Sequence, residues 1–235
     1  ILSDVIGDDL RTIASGPTVA PLGSRADARH LLEARGVWSE LPEAVRAHLT
    51  EPEVATAPLP PARNILIGSN RKSLEAIEKA TANATPVIVS DQLTGDVGDA
   101  TTRILQAAQA ASADRPHCLI FGGETTVTLR GKGLGGRNQE LALRVALAAP
   151  TTLSRPWVFL SGGTDGRDGP TEAAGGLVDA DSAARMRAAG ADPEALLADN
   201  DSNRALEASG DLLLVGATGT NVADVQILLL GAPLQ

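Results

Sequence analysis

Asn64-Ile65-Leu66-Ile67-Gly68-Ser69 and, further on, Pro86-Val87-Ile88-Val89-Ser90 are two short runs of branched apolar residues, each closed by a small or polar residue. Runs of this length and composition read as strands. Between them Ser69 stands where a helix N-cap belongs, and Leu74 and Ile77 recur at helical spacing. Strand, helix and strand in this order predict a βαβ unit, and with it an α/β fold built on a parallel sheet.

Toward the N-terminus, residues 25–32 followed by Gly36 predict a short helix with a glycine stop, and residues 41–49 another with Pro42 in its first turn. Four prolines between residues 50 and 63 leave no periodic pattern, which predicts a surface connection. Toward the C-terminus, the alanine-rich residues 99–113 predict a further helix. Beyond Asp114 the texture changes, because apolar strands now run straight into glycine-rich turns. Residues 117–122 and 125–130 read as two strands around a Gly-Gly turn. Helices are expected over 138–149, 181–189 and 193–198, and strands over 157–160, 212–215 and 225–230. The change of texture predicts a domain boundary near residue 114, giving domains of residues 1–113 and 114–235. No internal repeat or low-complexity tract stands out.

Composition narrows the function classes. With 43% hydrophobic residues but only two Trp, two Phe and no Tyr, the core must rest on Leu, Ile, Val and Ala. Stacking on nucleic-acid bases is therefore disfavoured. The 29 acidic and 20 basic residues give a net charge of -9, which repels a phosphate backbone, so any phosphate must bind at a local site. A single cysteine, Cys118, excludes an intramolecular disulfide and a cysteine zinc cluster, and the cytoplasm is the expected compartment. No apolar run approaches the length of a membrane span. Ile1 opens directly into an apolar and then acidic segment without a basic leader, and reads as a strand cut in mid-protein.

Four segments carry residues suited to chemistry. Gly131-Lys132-Gly133-Leu134-Gly135-Gly136-Arg137-Asn138 joins a strand to a helix. Glycines let a ligand approach the backbone, and the free N–H groups of a helix start attract an anion. Lys132 and Arg137 add positive charge at an end where the helix dipole alone favours acids, which points to function over capping. The plainer alternative is a mobile loop with an ordinary cap, and the spacing is not that of a Walker A loop. Ser161-Gly162-Gly163-Thr164-Asp165-Gly166-Arg167-Asp168-Gly169-Pro170-Thr171-Glu172 follows an apolar strand. Ligands of α/β sheets gather beyond the carboxyl ends of strands, so Asp165 here can hold Mg²⁺ or accept a hydroxyl proton. The same segment can also be only an Asp-Gly turn. In residues 3–9 a carboxylate at the end of the opening strand can face the same cleft as Asp165, while surface acids and helix caps explain Asp8 and Asp9 at least as well as catalysis does. Thr218-Gly219-Thr220-Asn221 offers hydroxyl and amide donors or a simple hairpin turn, and Glu124 is a cleft carboxylate or a polar strand end. The three histidines share no metal-ligand spacing.

Taken in order, residues 3–9 with 13–18, 67–70, Gly95-Asp96, 122–126, 135–143, 160–174, 200–202 and 218–224 resemble the class II glycerate kinase family, whose C-terminal part is the MOFRL domain. Gly-Gly-Arg-Asn-Gln-Glu and Ser-Gly-Gly-Thr-Asp-Gly-x-Asp-Gly-Pro-Thr-Glu-Ala-Ala-Gly, in this order, are the specific part. The resemblance implies a Rossmann-like domain, of which residues 1–113 are the tail, followed by a smaller α/β MOFRL domain, with the active site in the cleft between them. It also implies a lysine from early in the first domain that no residue here supplies. The implied reaction transfers the γ-phosphoryl group of ATP to D-glycerate with Mg²⁺, favouring 2-phosphoglycerate. Arg137 looks like the family's catalytic arginine. Asp4 and Asp165 look like its paired carboxylates, either able to hold Mg²⁺. Lys132, Gly135, Gly136, Asn138, Asp168, Thr218 and Asn221 are expected to contact phosphate or substrate. Relatives have also been called hydroxypyruvate reductases, but no Gly-x-Gly-x-x-Gly follows a strand with an acid at the right distance, so a nicotinamide site is disfavoured. A fragment that binds nucleotide or glycerate without transferring phosphate is the alternative of a different class.

Overall fold

Leucine, isoleucine and valine runs on either side of the glycine turns assemble into one mixed sheet. A computed structural model describes residues 1–53 and 60–232. They fall into two compact units, residues 8–65 and the remainder of the chain, residues 1–7 with 66–235.

The smaller unit contains two helices, α1 (Arg25–Ala34) and α2 (Glu43–Thr50). The start of α1 is a reciprocal cap: the Asp27 amide donates to Ser24 Oγ at 3.1 Å, and the Ser24 amide donates to Asp27 Oδ2 at 2.8 Å. The Arg29 guanidinium lies 5.2 Å from the Trp38 ring, a cation–π contact that ties α1 to the turn after it. The proline-rich connection expected here falls partly on residues 54–59, outside the described residues.

In the larger unit, α3 (Asn70–Ala80) starts where Ser69 Oγ accepts from the Lys72 amide, as its sequence implies. Then come β1 (Pro86–Ser90), β2 (Gly95–Asp96), α4 (Val97–Ala110), β3 (His117–Gly123), β4 (Thr125–Thr126), α5 (Arg137–Thr152) and β5 (Trp157–Gly163). They are followed by β6 (Gly175–Asp179), α6 (Ser182–Ala188), α7 (Pro193–Ala198), α8 (Ser202–Ser209), β7 (Leu212–Leu213) and β8 (Asp224–Leu230). The six-stranded sheet has the order β1-β3-β8-β5-β6-β7, while β2 and β4 form a separate parallel pair. Only β1 and β3 of the large sheet are parallel; its other neighbours are antiparallel. In the large sheet the parallel pairing expected from the sequence is thus confined to β1 and β3, because the last strand, β8, inserts between β3 and β5 and runs against both.

Three local expectations are corrected. Residues 64–68 form no strand; only Gly68 bridges Leu2, so the βαβ unit is β1-α4-β3 and not the one around α3. The run 125–130 gives a two-residue strand that pairs with β2 instead of folding back on β3. Gly123, the last residue of β3, has a φ of 141°, and a Cβ there would lie 2.5 Å from the Leu93 nitrogen, so a glycine is needed where the chain leaves β3 past Leu93. Strand β6 and helix α8 were not anticipated, since β6 opens on two glycines and α8 carries only Ala205 and Leu206 as buried apolar residues. Residue 114, where the texture of the sequence changes, lies between α4 and β3.

Alternation along the strands divides the core. Leu119, Phe121, Phe159, Leu228 and Leu230 face α4, α5 and α8, while Cys118, Ile120 and Val225 meet Leu74 of α3. Strand β3 is buried on both faces for this reason. Among the described residues no helix is long and apolar enough to cross a membrane. In the centre of the sheet, Leu228 stands in register between Leu119 and Phe159 and is fully buried. Truncation to Leu228→Ala is expected to cost about 2–5 kcal/mol through lost burial and a retained cavity. A denaturant midpoint unchanged from wild type would show that this layer is not tightly packed.

Candidate active site around Arg137

The glycine segment before α5 passes over the segment that links α7 to α8, and most of its amides are used there. The Arg130 and Gly131 amides donate to Asn200 Oδ1 at 2.7 and 3.0 Å, Lys132 to Asp199 Oδ1 at 3.1 Å, and Leu134 to Asp201 Oδ1 at 3.0 Å. The Gly133 amide donates to the Asp199 carbonyl at 2.9 Å. Five successive amides are therefore held by Asp199, Asn200 and Asp201. Asn200 takes a left-handed φ of 57° to do this, and its Nδ2 donates to the buried Glu140 carboxylate at 3.0 Å.

The start of α5 also has an anion, but it belongs to the protein. Asp168 is 3% exposed; its Oδ1 accepts from the Asn138 amide at 3.2 Å and its Oδ2 from the Gln139 amide at 2.8 Å. The Gln139 side chain reinforces this by donating to Asp168 Oδ2 at 3.1 Å and to Thr171 Oγ1 at 2.9 Å. Asn138 is buried as well, its Oδ1 accepting from Ser161 Oγ at 2.6 Å. The expectation that the amides of α5 receive a phosphate is thus corrected at these two positions, where Asp168, itself among the residues lining the cleft described below, is the acceptor. A glycine at 136 is what lets Asp168 come so close, because a Cβ there would lie 2.3 Å from its carboxyl carbon.

What remains lies between these two networks. The amides of Gly135, Gly136 and Arg137 have no acceptor among the described residues. All three residues line a cleft of about 710 Å³, together with Glu124, Thr125 and Leu129. That volume suits a ligand of nucleotide size. Arg137, the first residue of α5, turns its guanidinium into a three-way ion pair. Nε donates to Asp224 Oδ2 at 2.6 Å, Nη2 to Asp224 Oδ1 at 3.0 Å, and Nη1 lies 2.8 Å from Glu124 Oε1. Asp224 is 1% exposed and Glu124 45% exposed. The hydrogen bond to Asp224 raises the Arg137 pKa further, against the opposing effect of burial, so the guanidinium stays charged. Burial raises the Asp168 pKa, and the amides of Gln139 and Asn138 pull against it.

The remaining sequence candidates gather on the other side of Gly163. Asp165 Oδ1 accepts from the Arg167 amide at 2.9 Å, and lies 3.1 Å from the space a Cβ on Gly163 would fill. Asp224 Oδ1 lies 3.5 Å from the same point, so the two carboxylates flank one glycine. Thr218 donates to the Thr164 carbonyl at 2.6 Å, and its amide donates to the Asp165 carbonyl at 3.2 Å. Asn221 Nδ2 donates to Asp4 Oδ2 at 3.5 Å, which links Asp4 to the same loop. Asp4, Asp165, Thr218 and Asn221 thus form a second group, in which Asp165 shares the flank of Gly163 with Asp224, the partner of Arg137. Lys132 is exposed and is not among the residues lining the cleft. Asp224 and the 199–201 segment are the site residues that sequence reasoning missed. An acid at a strand start gives no local sign that its partner lies 87 residues away.

Asp168 generates a stability prediction. Asp168→Ala leaves two amides of α5 unpaired and is expected to cost about 1–2 kcal/mol, read as a lower denaturant midpoint. Because its folded pKa is raised, the native state holds this proton more tightly than the unfolded chain. Its contribution to stability therefore falls as pH rises through the carboxylate range, and the variant should lose that slope. An unchanged midpoint at every pH would refute the capping role.

A model described as the MOFRL family matches residues 117–224, and one described as a domain of unknown function, DUF4147, matches residues 1–50. The glycerate 2-kinase of Pyrococcus horikoshii is 40% identical over 243 residues, covering 97% of this chain and 54% of its own length. The glycerate kinase of Macaca fascicularis is 38% identical over 288 residues, covering 98% of this chain and 71% of its own. A crystal structure of glycerate kinase from Thermotoga maritima superposes with a TM-score of 0.82 at 39% identity, covering 97% of this chain and 56% of that one. The chain spans about half the length of the Pyrococcus and Thermotoga relatives. With 38% identity to the Macaca relative in an alignment that covers 98% of this chain and 71% of that protein, and with Arg137 inside the MOFRL match, this chain belongs to the glycerate kinase family.

Proposed function

We propose that this chain is the part of a glycerate kinase that clamps the migrating phosphoryl group, in an enzyme that transfers the γ-phosphoryl of ATP to D-glycerate and yields 2-phosphoglycerate. In this reading residues 1–113 are the tail of the larger domain and residues 114–235 the MOFRL domain, and the protein works in the cytoplasm on small molecules. The observation that carries it is the run of acceptor-free amides at Gly135, Gly136 and Arg137, ending in a fixed guanidinium and opening on a nucleotide-sized cleft. Phosphoryl transfer asks little covalent chemistry of a protein and depends on positioning and on stabilising negative charge.

The roles follow from chemistry. The three amides donate to phosphate oxygens, and Arg137 stabilises the charge that builds on them. The glycerate hydroxyl oxygen forms the new bond to γ-phosphorus as the bond to the β-phosphate oxygen breaks and ADP leaves, while the hydroxyl proton passes to Asp165 or Asp4. Thr218 and Asn221 shape the loop beside these acids, Asn138 and Asp168 brace the helix under the amides, and the exposed Lys132 adds positive charge to the segment that leads into them.

Among the described residues no group of three or more His, Cys, Asp or Glu side chains is gathered closely enough to hold a metal alone. Mg²⁺ commonly takes one or two carboxylates and completes its shell with phosphate oxygens and water, a set to which Asp165 and Asp4 are suited. Bound there, Mg²⁺ would neutralise charge on the phosphate oxygens.

The test is turnover by the full-length gene product with ATP, Mg²⁺ and D-glycerate, with the product identified by ³¹P NMR. Absence of phosphorylated glycerate would refute the proposal, and NADH oxidation with hydroxypyruvate in its place would favour a reductase. Arg137→Ala is expected to lower kcat by roughly 10³-fold or more. Since that change leaves Asp224 buried without its partner, Arg137→Lys and a thermal melt belong beside it. Wild-type turnover in a folded variant would reassign the arginine to structure. Asp165→Asn is expected to weaken the Mg²⁺ dependence or abolish turnover, and a neutral result would return the acidic turn to a purely structural role.

A further inference from the structure

An arginine can clamp a moving phosphoryl group only if its guanidinium plane is held before the group arrives. Two of the three nitrogens of Arg137 are engaged by Asp224, leaving Nη1 against Glu124. Paired donors on a buried carboxylate form a strong, directional contact. The contact with half-exposed Glu124 is worth little and yields readily to a competing anion.

Asp224 is itself placed with unusual care. The residue before it, Ala223, is buried with a left-handed φ of 63°, a conformation that costs an alanine and persists only where its surroundings over-determine it. Here they do. The Thr164 amide and Oγ1 both donate to the Ala223 carbonyl, at 3.2 and 2.7 Å, and Thr164 Oγ1 accepts from the Val222 amide at 2.9 Å. From the other side, Asn70 Nδ2 donates to the Val222 carbonyl at 3.0 Å and to the Asp224 carbonyl at 2.8 Å. The Ala223 amide donates to Asn221 Oδ1 at 3.1 Å. Three side chains thus fix one strained corner, and the strained corner fixes the carboxylate.

We propose that Asp224 is the positioning residue of this site: clamped through Ala223 by Thr164 and Asn70, it locks the Nε and Nη2 edge of Arg137 and presents Nη1 to the anionic oxygens of the substrate. The claim about turnover rests on the kinase reading above; the claim about the clamp does not.

The experiment uses the full-length gene product, with Asp224→Asn, Thr164→Val and Thr164→Ser compared to wild type by thermal melt, kcat and KM. Asp224→Asn is expected to fold, to keep both KM values within about threefold, and to lose roughly 10²-fold in kcat, the scale of a misplaced catalytic group. Thr164→Val should follow the same pattern more weakly, and Thr164→Ser, which keeps the hydroxyl, should restore turnover. If Asp224→Asn does not fold, the Thr164 pair decides the question. Unchanged kcat in folded Asp224→Asn, or equal kcat in the two Thr164 variants, would overturn the proposal. Failure of the wild type to phosphorylate glycerate would sink the kinase reading alone. The clamp is then read from the ¹⁵N signal of Arg137 Nε–H, expected to exchange with water at least tenfold faster in Thr164→Val than in wild type. Equal exchange rates would overturn it.

Discussion

A carboxylate with 1% of its surface exposed has lost nearly all of its water, and Asp224 is tolerable in that place because Arg137 meets both of its oxygens. The pair joins the first residue of α5 to the first residue of β8, and so binds the helix that covers the sheet to the strand at its centre. The glycine turn leads into this pair from one direction, and the acidic turn after β5 approaches it from the other. Removing the guanidinium would leave Asp224 stranded with little water to repay the loss, whereas Arg137 is partly exposed and would keep its contact with Glu124. The same contact that anchors the fold therefore also orients the chemistry.

The elements that the sequence announced were those whose signals are local. Helix α3 carries its cap at Ser69 and its buried face at Leu74, and α5 follows a glycine segment with a sustained alanine and leucine pattern. Strand β6 was hidden because Gly175 and Gly176 carry no side chain that marks a strand, although both lie in ladder register with β5. The direction of the sheet was hidden for a different reason. Nothing in residues 224–230 says that they will pass between β3 and β5, since that choice is made by packing over long separations.

Within the site the same division holds. Arg137, Gly135 and Gly136 stand out as candidates because a cation and bare glycines at a helix start are at odds with simple capping. Glu124 was visible as a carboxylate with two possible roles. The error concerned which amides are available, because Asp199, Asn200, Asp201 and Asp168 reach them from distant parts of the chain. A free donor in a linear sequence is only a donor whose acceptor has not yet arrived.

The five amides held by the 199–201 segment bear on the kinetics of ligand capture. A glycine segment of this length would ordinarily sample many backbone conformations, and a ligand arriving there would have to freeze them. Here that loss of chain entropy is met when the polypeptide folds, so the encounter meets a mould already set. Association at this cleft should then be governed by diffusion and charge, with no slow loop-ordering phase after the first contact.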